Sequence, residues 1–131
     1  MFEVAVEESF AAGHALRGYR GKCEGVHGHN YKVRVVLAGE RLDSAGLLYD
    51  FSELKQRLAE IIRSLDHKFL NDIAPFTQLN PSAENLAKYF YEQVSRRLAA
   101  SPDGAVVREV TIFETENTTA TYRPGRAGPS G

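Results

Sequence analysis

Residues 14–29 hold three of the chain's four histidines, His14, His27 and His29, together with its one cysteine, Cys23. Neutral imidazole is a good Zn2+ ligand, and three protein ligands leave one coordination place for a substrate. A His-x-His pair alone arises by chance on many surfaces. A third histidine of matching strand parity points instead to a three-histidine Zn2+ site with an open position, whose ion would act on a bound hydroxyl as a Lewis acid. The competing reading is three histidines hydrogen-bonded near a strand end. The fourth histidine follows an acid, as Asp66-His67, and could be a proton shuttle with its orienting carboxylate. Its bland alternative is a protonated imidazole against the C-terminal end of a helix dipole. Adjacent residues of a helix do not face each other, so a direct Asp66–His67 contact requires the chain to leave helical geometry there.

Cys23 lies in the polar run Gly21-Lys22-Cys23-Glu24-Gly25 rather than in an apolar row. Lys22 and a neighbouring cation would both favour its thiolate. It could serve as a general base, or as a fourth ligand that closes the site and makes the metal structural. No Cys-x-x-Cys pair exists, which argues against a zinc finger. Glu114 shares the parity of Val106, Val110 and Ile112, so it should point to the apolar side of a strand. A carboxylate there is costly unless paired. Either a buried cation or a flat heterocycle offering an amino group and a ring N–H would satisfy it. Asp50 and Glu84 read more simply as capping or solvated groups. The basic run from Arg17 to Lys22 could hold phosphates or be a solvated loop.

The elements that must position these groups follow from periodicity. Phe2, Val4, Val6 and Phe10 alternate as one strand, which carries His14 on the face of Phe10 if it runs on. Tyr31, Val33, Val35 and Leu37 form a second, with His27 and His29 on the same parity and Gly28 between them allowing close approach. Ser52 is a plausible cap for a helix with Leu54, Leu58, Ile61, Ile62 and Leu65 on its inner face. Asn80-Pro81 opens a second helix with the stripe Leu86, Phe90, Val94 and Leu98, stopped by Ser101-Pro102-Asp103-Gly104. Val106, Val110 and Ile112 mark a third strand, and residues 118–123 a short fourth. The order β-β-α-α-β-β predicts an α+β fold, an antiparallel four-stranded sheet with both helices on one face. Its two open edges invite pairing with further copies.

The 131 residues suit a single domain over residues 1–123, with a Pro/Gly/Ser-rich tail, 124–131, expected to be disordered. A net charge of −1 carries no nucleic-acid footprint. No apolar run approaches a membrane span, the N-terminus lacks the pattern of a secretory signal, and one cysteine fits a reducing cytoplasm.

Taken together, Phe10-Ala-Ala-Gly-His14, Cys23-Glu-Gly-Val-His27-Gly-His29-Asn30, Asp50-Phe51, Leu65-Asp66-His67, Pro81-Ser-Ala-Glu-Asn85 and Phe113-Glu114-Thr115 resemble the 6-pyruvoyltetrahydropterin synthase family. Within it, the interval of four residues from Cys23 to His27 resembles the bacterial carboxy-forming branch of the queuosine pathway. The resemblance implies a tunnelling fold that trimerises into a barrel, two trimers stacking as a homo-hexamer with active sites between subunits. It implies Zn2+ on His14, His27 and His29, Cys23 as general base, and Asp66 with His67 as a proton relay supplied by a neighbouring subunit. It further implies Glu114 as anchor of the pterin ring, with Glu84 close by. The implied reaction converts 7,8-dihydroneopterin triphosphate to 6-carboxy-5,6,7,8-tetrahydropterin, acetaldehyde and triphosphate. The alternatives are the pyruvoyl-forming reaction of biopterin synthesis and a non-catalytic zinc- or pterin-binding module.

Overall fold

The structure is a computed structural model and describes residues 1–18, 25–98 and 104–125. Two long strands, β1 (Phe2–His14) and β2 (His27–Gly39), form an antiparallel hairpin paired along its whole length, from Phe2 opposite Gly39 to His14 opposite His27. After β2 come helix α1 (Phe51–Arg63), the short strand β3 (Lys68–Phe69), helix α2 (Ala83–Leu98), and the strands β4 (Val106–Phe113) and β5 (Thr119–Tyr122). The sheet order is β3-β1-β2-β4-β5. Both helices cover one face. Val6 and Phe10 of β1, Tyr31, Val33 and Val35 of β2, and Val110 and Ile112 of β4 pack in one core with Leu54 and Leu58 of α1 and Phe90 and Val94 of α2.

The α+β class, the order of the four main strands and the two-helix layer are as the periodicity predicts. One strand was not foreseen. β3 pairs parallel to β1, Ala12 with Lys68 and Gly13 with Phe69, so the sheet is mixed and five-stranded rather than purely antiparallel and four-stranded. Two residues are too few to leave a period in the sequence. Local details also differ. Asp50, not Ser52, caps α1, its carboxylate accepting from the Ser52 and Glu53 N–H groups. Helix α2 starts at Ala83 behind Ser82, whose Oγ accepts from the Asn85 N–H at 3.1 Å, rather than at Pro81. Both outcomes follow the preference of short oxygen-bearing side chains for the cap position. In β4, Val106 is 60% exposed and Val107 is buried, because the β2–β4 register shifts between Val36 and Leu37. A bulge of this kind reverses the inward and outward sides of a strand. Past it, Val110 and Ile112 do face the core, and the parity expected for Glu114 rests on those two.

Of the predicted stop at residues 101–104, residues 101–103 lie outside the described residues, as does most of the expected tail, from residue 126 onward. Among the described residues, no helix is long and apolar enough to cross a membrane.

Candidate metal and pterin site

The hairpin register brings the histidines together. His14 pairs with His27, and Ala12 with His29, so all three imidazoles leave one face at one end of the sheet. Their ring centroids lie 5.0 Å apart for His14–His29 and 6.5 Å for His14–His27 and His27–His29. His14 is 3% exposed, His29 partly buried and His27 exposed. His14 Nδ1 lies 2.7 Å from the Pro81 carbonyl oxygen, a distance at which the ring N–H donates to it. That bond leaves Nε2 as the lone-pair nitrogen. An outer hydrogen bond of this sort sets the tautomer of a metal-binding histidine.

Glu114 closes the cluster. It follows β4, with its N–H donating to the Thr118 carbonyl at 3.0 Å. Its Oε2 lies 3.9 Å from His14 Nε2 and its Oε1 3.9 Å from His29 Nε2. The ligand atoms of His14, His29 and Glu114 all fall within 4.8 Å of one another, a grouping able to hold a metal ion. Two buried or half-buried imidazoles, one with its tautomer set, beside a carboxylate and a third imidazole form a donor set that suits Zn2+. Glu114 therefore sits beside His14 and His29 in this candidate metal-binding group. Glu84, in the first turn of α2, lines a groove of about 260 Å3 together with Leu16, Ser82, Glu114 and Thr118. The Gly28 position meets open space, so nothing among the described residues uses the close approach a glycine there permits.

The Asp66–His67 pair is assembled by the turn after α1. His67 has a φ of +60°, which takes the chain out of helical geometry and lets two adjacent side chains meet. Its Nδ1 lies 3.0 Å from Asp66 Oδ2. The turn is tied to β1 on both sides, since the Ala11 N–H donates to Asp66 Oδ1 at 2.9 Å and the His67 N–H donates to the Ala11 carbonyl at 2.6 Å. His67 is 81% exposed and shares an open groove of about 520 Å3 with Gly13, Val26, Gly28 and His29. The Ala11 N–H, and after it His67, hold the Asp66 carboxyl below the usual carboxylate range. A carboxyl depressed in the folded state stabilises above its unfolded value, and that contribution is lost as pH falls through the folded value. Thermal melts of wild type and Asp66→Asn from about pH 6 to about pH 3 should show the wild type losing more Tm than the variant, which has no carboxyl to protonate.

Cys23 lies outside the described residues, as do the other members of the basic run from Tyr19 to Lys22. Arg17 is described, and it is not left to phosphates. Its guanidinium donates to the Phe76 carbonyl at 2.6 Å and the Leu79 carbonyl at 3.3 Å. Beside it, the side chains of Asn71 and Asn80 each bond both backbone groups of one residue, Ala15 and Arg17 respectively. This bracket locks the chain after His14 onto the loop that ends in Pro81.

Sequence reasoning missed Pro81 and Tyr31. Nothing in the local pattern marks a carbonyl that will orient a histidine 67 residues away. Tyr31 did carry a signal, because it continues the parity of His27 and His29. It is fully buried, with its ring 5.9 Å from His14 and 5.5 Å from His29. Burial, reinforced by the Glu114 charge, pushes its hydroxyl well above the ordinary tyrosine range, so it remains protonated.

A mixed sheet with two helices on one face and a histidine–carboxylate cluster at the end of its central hairpin defines an α+β scaffold built around a candidate metal site. The family profile described as 6-pyruvoyl tetrahydropterin synthase matches residues 3–125, and the chain belongs to that family of enzymes. It is 33% identical to a 6-carboxy-5,6,7,8-tetrahydropterin synthase of Bacillus subtilis, over 99% of this chain and 90% of the relative. It is 34% identical to a 6-pyruvoyl tetrahydrobiopterin synthase of Poecilia reticulata, over 88% of this chain and 86% of the relative. The solved 6-pyruvoyl tetrahydropterin synthase of Caenorhabditis elegans superposes with a TM-score of 0.77 at 29% identity, covering 95% of this chain and 98% of the other.

Proposed function

We propose that the chain is a Zn2+-dependent 6-carboxy-5,6,7,8-tetrahydropterin synthase, which converts 7,8-dihydroneopterin triphosphate to 6-carboxy-5,6,7,8-tetrahydropterin, acetaldehyde and triphosphate in the cytoplasm, for 7-deazapurine (queuosine) formation. The observation that carries this reading is the meeting of His14, His27, His29 and Glu114 at one end of the sheet. His14, His27 and His29 would hold the ion, which supplies Lewis acidity toward the side-chain hydroxyls of the substrate. Cys23 takes a proton from the substrate side chain, and His67, oriented by Asp66, returns one. The exposure of His67 at the β1 edge suits a dyad that serves the site of a neighbouring copy in a homo-hexamer.

Two carboxylates remain for the substrate. The amino and ring N–H edge of a pterin lies across the fused ring from the reacting side chain. Glu84 and Glu114 line one groove, which supports their meeting one ligand. Glu114 is taken as the anchor of that edge, with Glu84 close by.

The second reading is the pyruvoyl-forming reaction, favoured by a relative of that name at 34% identity, against 33% for the carboxy-forming relative. Incubation with 7,8-dihydroneopterin triphosphate and mass analysis of the products decides between them. Acetaldehyde with a carboxypterin is the expected result, and a pyruvoyl product supports the second reading. Binding without turnover would mark a non-catalytic pterin-binding module.

A further inference from the structure

The Pro81 carbonyl meets His14 Nδ1, and the chain on both sides of that carbonyl is anchored. Ahead of it, the Asn80 side chain accepts from the Arg17 N–H at 2.8 Å and donates to the Arg17 carbonyl at 2.9 Å. The Asn80 carbonyl accepts in turn from Asn85 Nδ2 at 2.9 Å. Behind it, the Ser82 carbonyl accepts from the Leu86 N–H at 2.9 Å, and Ser82 Oγ from the Asn85 N–H. Proline itself fixes φ between these anchors. Few rotations are left by which the carbonyl of the buried Pro81 could turn away.

The same bonds keep this carbonyl out of the helix. In a helix extended back by one turn, it would take the N–H four residues on, that of Asn85. The Ser82 cap takes that N–H instead, and the carbonyl is met by His14 Nδ1 at 2.7 Å. Asn85 thus acts twice, through its N–H on the cap and through its amide on Asn80. Asn80 ties the loop to Arg17, three positions past the end of β1 at His14.

We propose that Asn80 and Asn85 are positioning residues of the metal site: they hold the Pro81 carbonyl on His14 Nδ1 and so keep the lone pair of His14 on Nε2, the nitrogen that faces the cluster. The inference rests on the metal site of the proposed function. Which ring nitrogen of a histidine binds a metal is set by the bond the other one makes. The test compares wild type with Asn85→Ala and Asn80→Ala. Asn85→Ala is the milder change, since it leaves the cap and the Arg17 bracket in place. Nitrogen-15 spectra of the metal-free protein at about pH 8, above the ordinary imidazole value, report the tautomer of His14. Wild type should carry the proton on Nδ1, and both variants should show a mixture of the two tautomers. Zn2+ affinity, measured by competition with a chelator, should fall about 10- to 100-fold in each variant. Val94→Ala, in the buried stripe of α2, is the control: it should lower Tm while leaving tautomer and affinity unchanged. Variants that keep the Nδ1–H tautomer, or that bind Zn2+ as wild type does, overturn this inference alone. A wild type that binds no Zn2+ overturns the metal site with it.

Discussion

Replacing His14 with alanine is expected to leave a folded chain that purifies with little Zn2+ and turns substrate over at background rate. His14 is the most buried of the three imidazoles and the one whose tautomer is set, through Nδ1 on the Pro81 carbonyl. Losing an outer-shell partner of a ligand typically weakens a metal about 10- to 100-fold, and losing the ligand itself should cost more. His29→Ala provides the same readout at a smaller folding cost, because that side chain is 22% exposed. Metal analysis of His27→Ala and Glu114→Ala then separates two donor sets. Three histidine ligands predict that His27→Ala loses Zn2+ while Glu114→Ala keeps it. The reverse result would assign the ion to the tighter group of His14, His29 and Glu114.

Cys23→Ala should retain Zn2+ at the wild-type level and lose about 10²- to 10⁴-fold in turnover, the range for removing a general acid or base. The connection carrying Cys23, residues 15–26, leaves β1 at His14 and enters β2 at His27. Loss of Zn2+ together with activity would instead identify the thiolate as the ligand that closes the site. Full activity in the alanine variant would remove the cysteine from the chemistry.

These two experiments probe residues that were legible before any coordinates. Alternation marked both β1, where only Glu8 breaks it, and β2, and the odd parity shared by His27, His29 and Tyr31 placed them on one face. Alternation is a local property of extended backbone, so a linear sequence carries it in full. The failures have equally local causes. The bulge in β4 put Val107 inside where parity from Val106 had been assumed. Strand β3 is held by two paired residues and a turn at His67, with no apolar period to announce it.

The residue types able to bind a metal, their common face and the helical stripes that cover them were thus set by local sequence, through side-chain periodicity and the chemistry of imidazole, thiol and carboxylate. Tertiary structure decided the rest. It brought Glu114 to His14 and His29, the Pro81 carbonyl to a histidine 67 positions away, and Asp66 to the Ala11 N–H 55 positions away. Such contacts depend on strand register, on one bulge and on the path of loops closed by Asn71, Asn80 and Arg17. Each of those is an outcome of packing the whole chain, which no window of neighbouring residues contains.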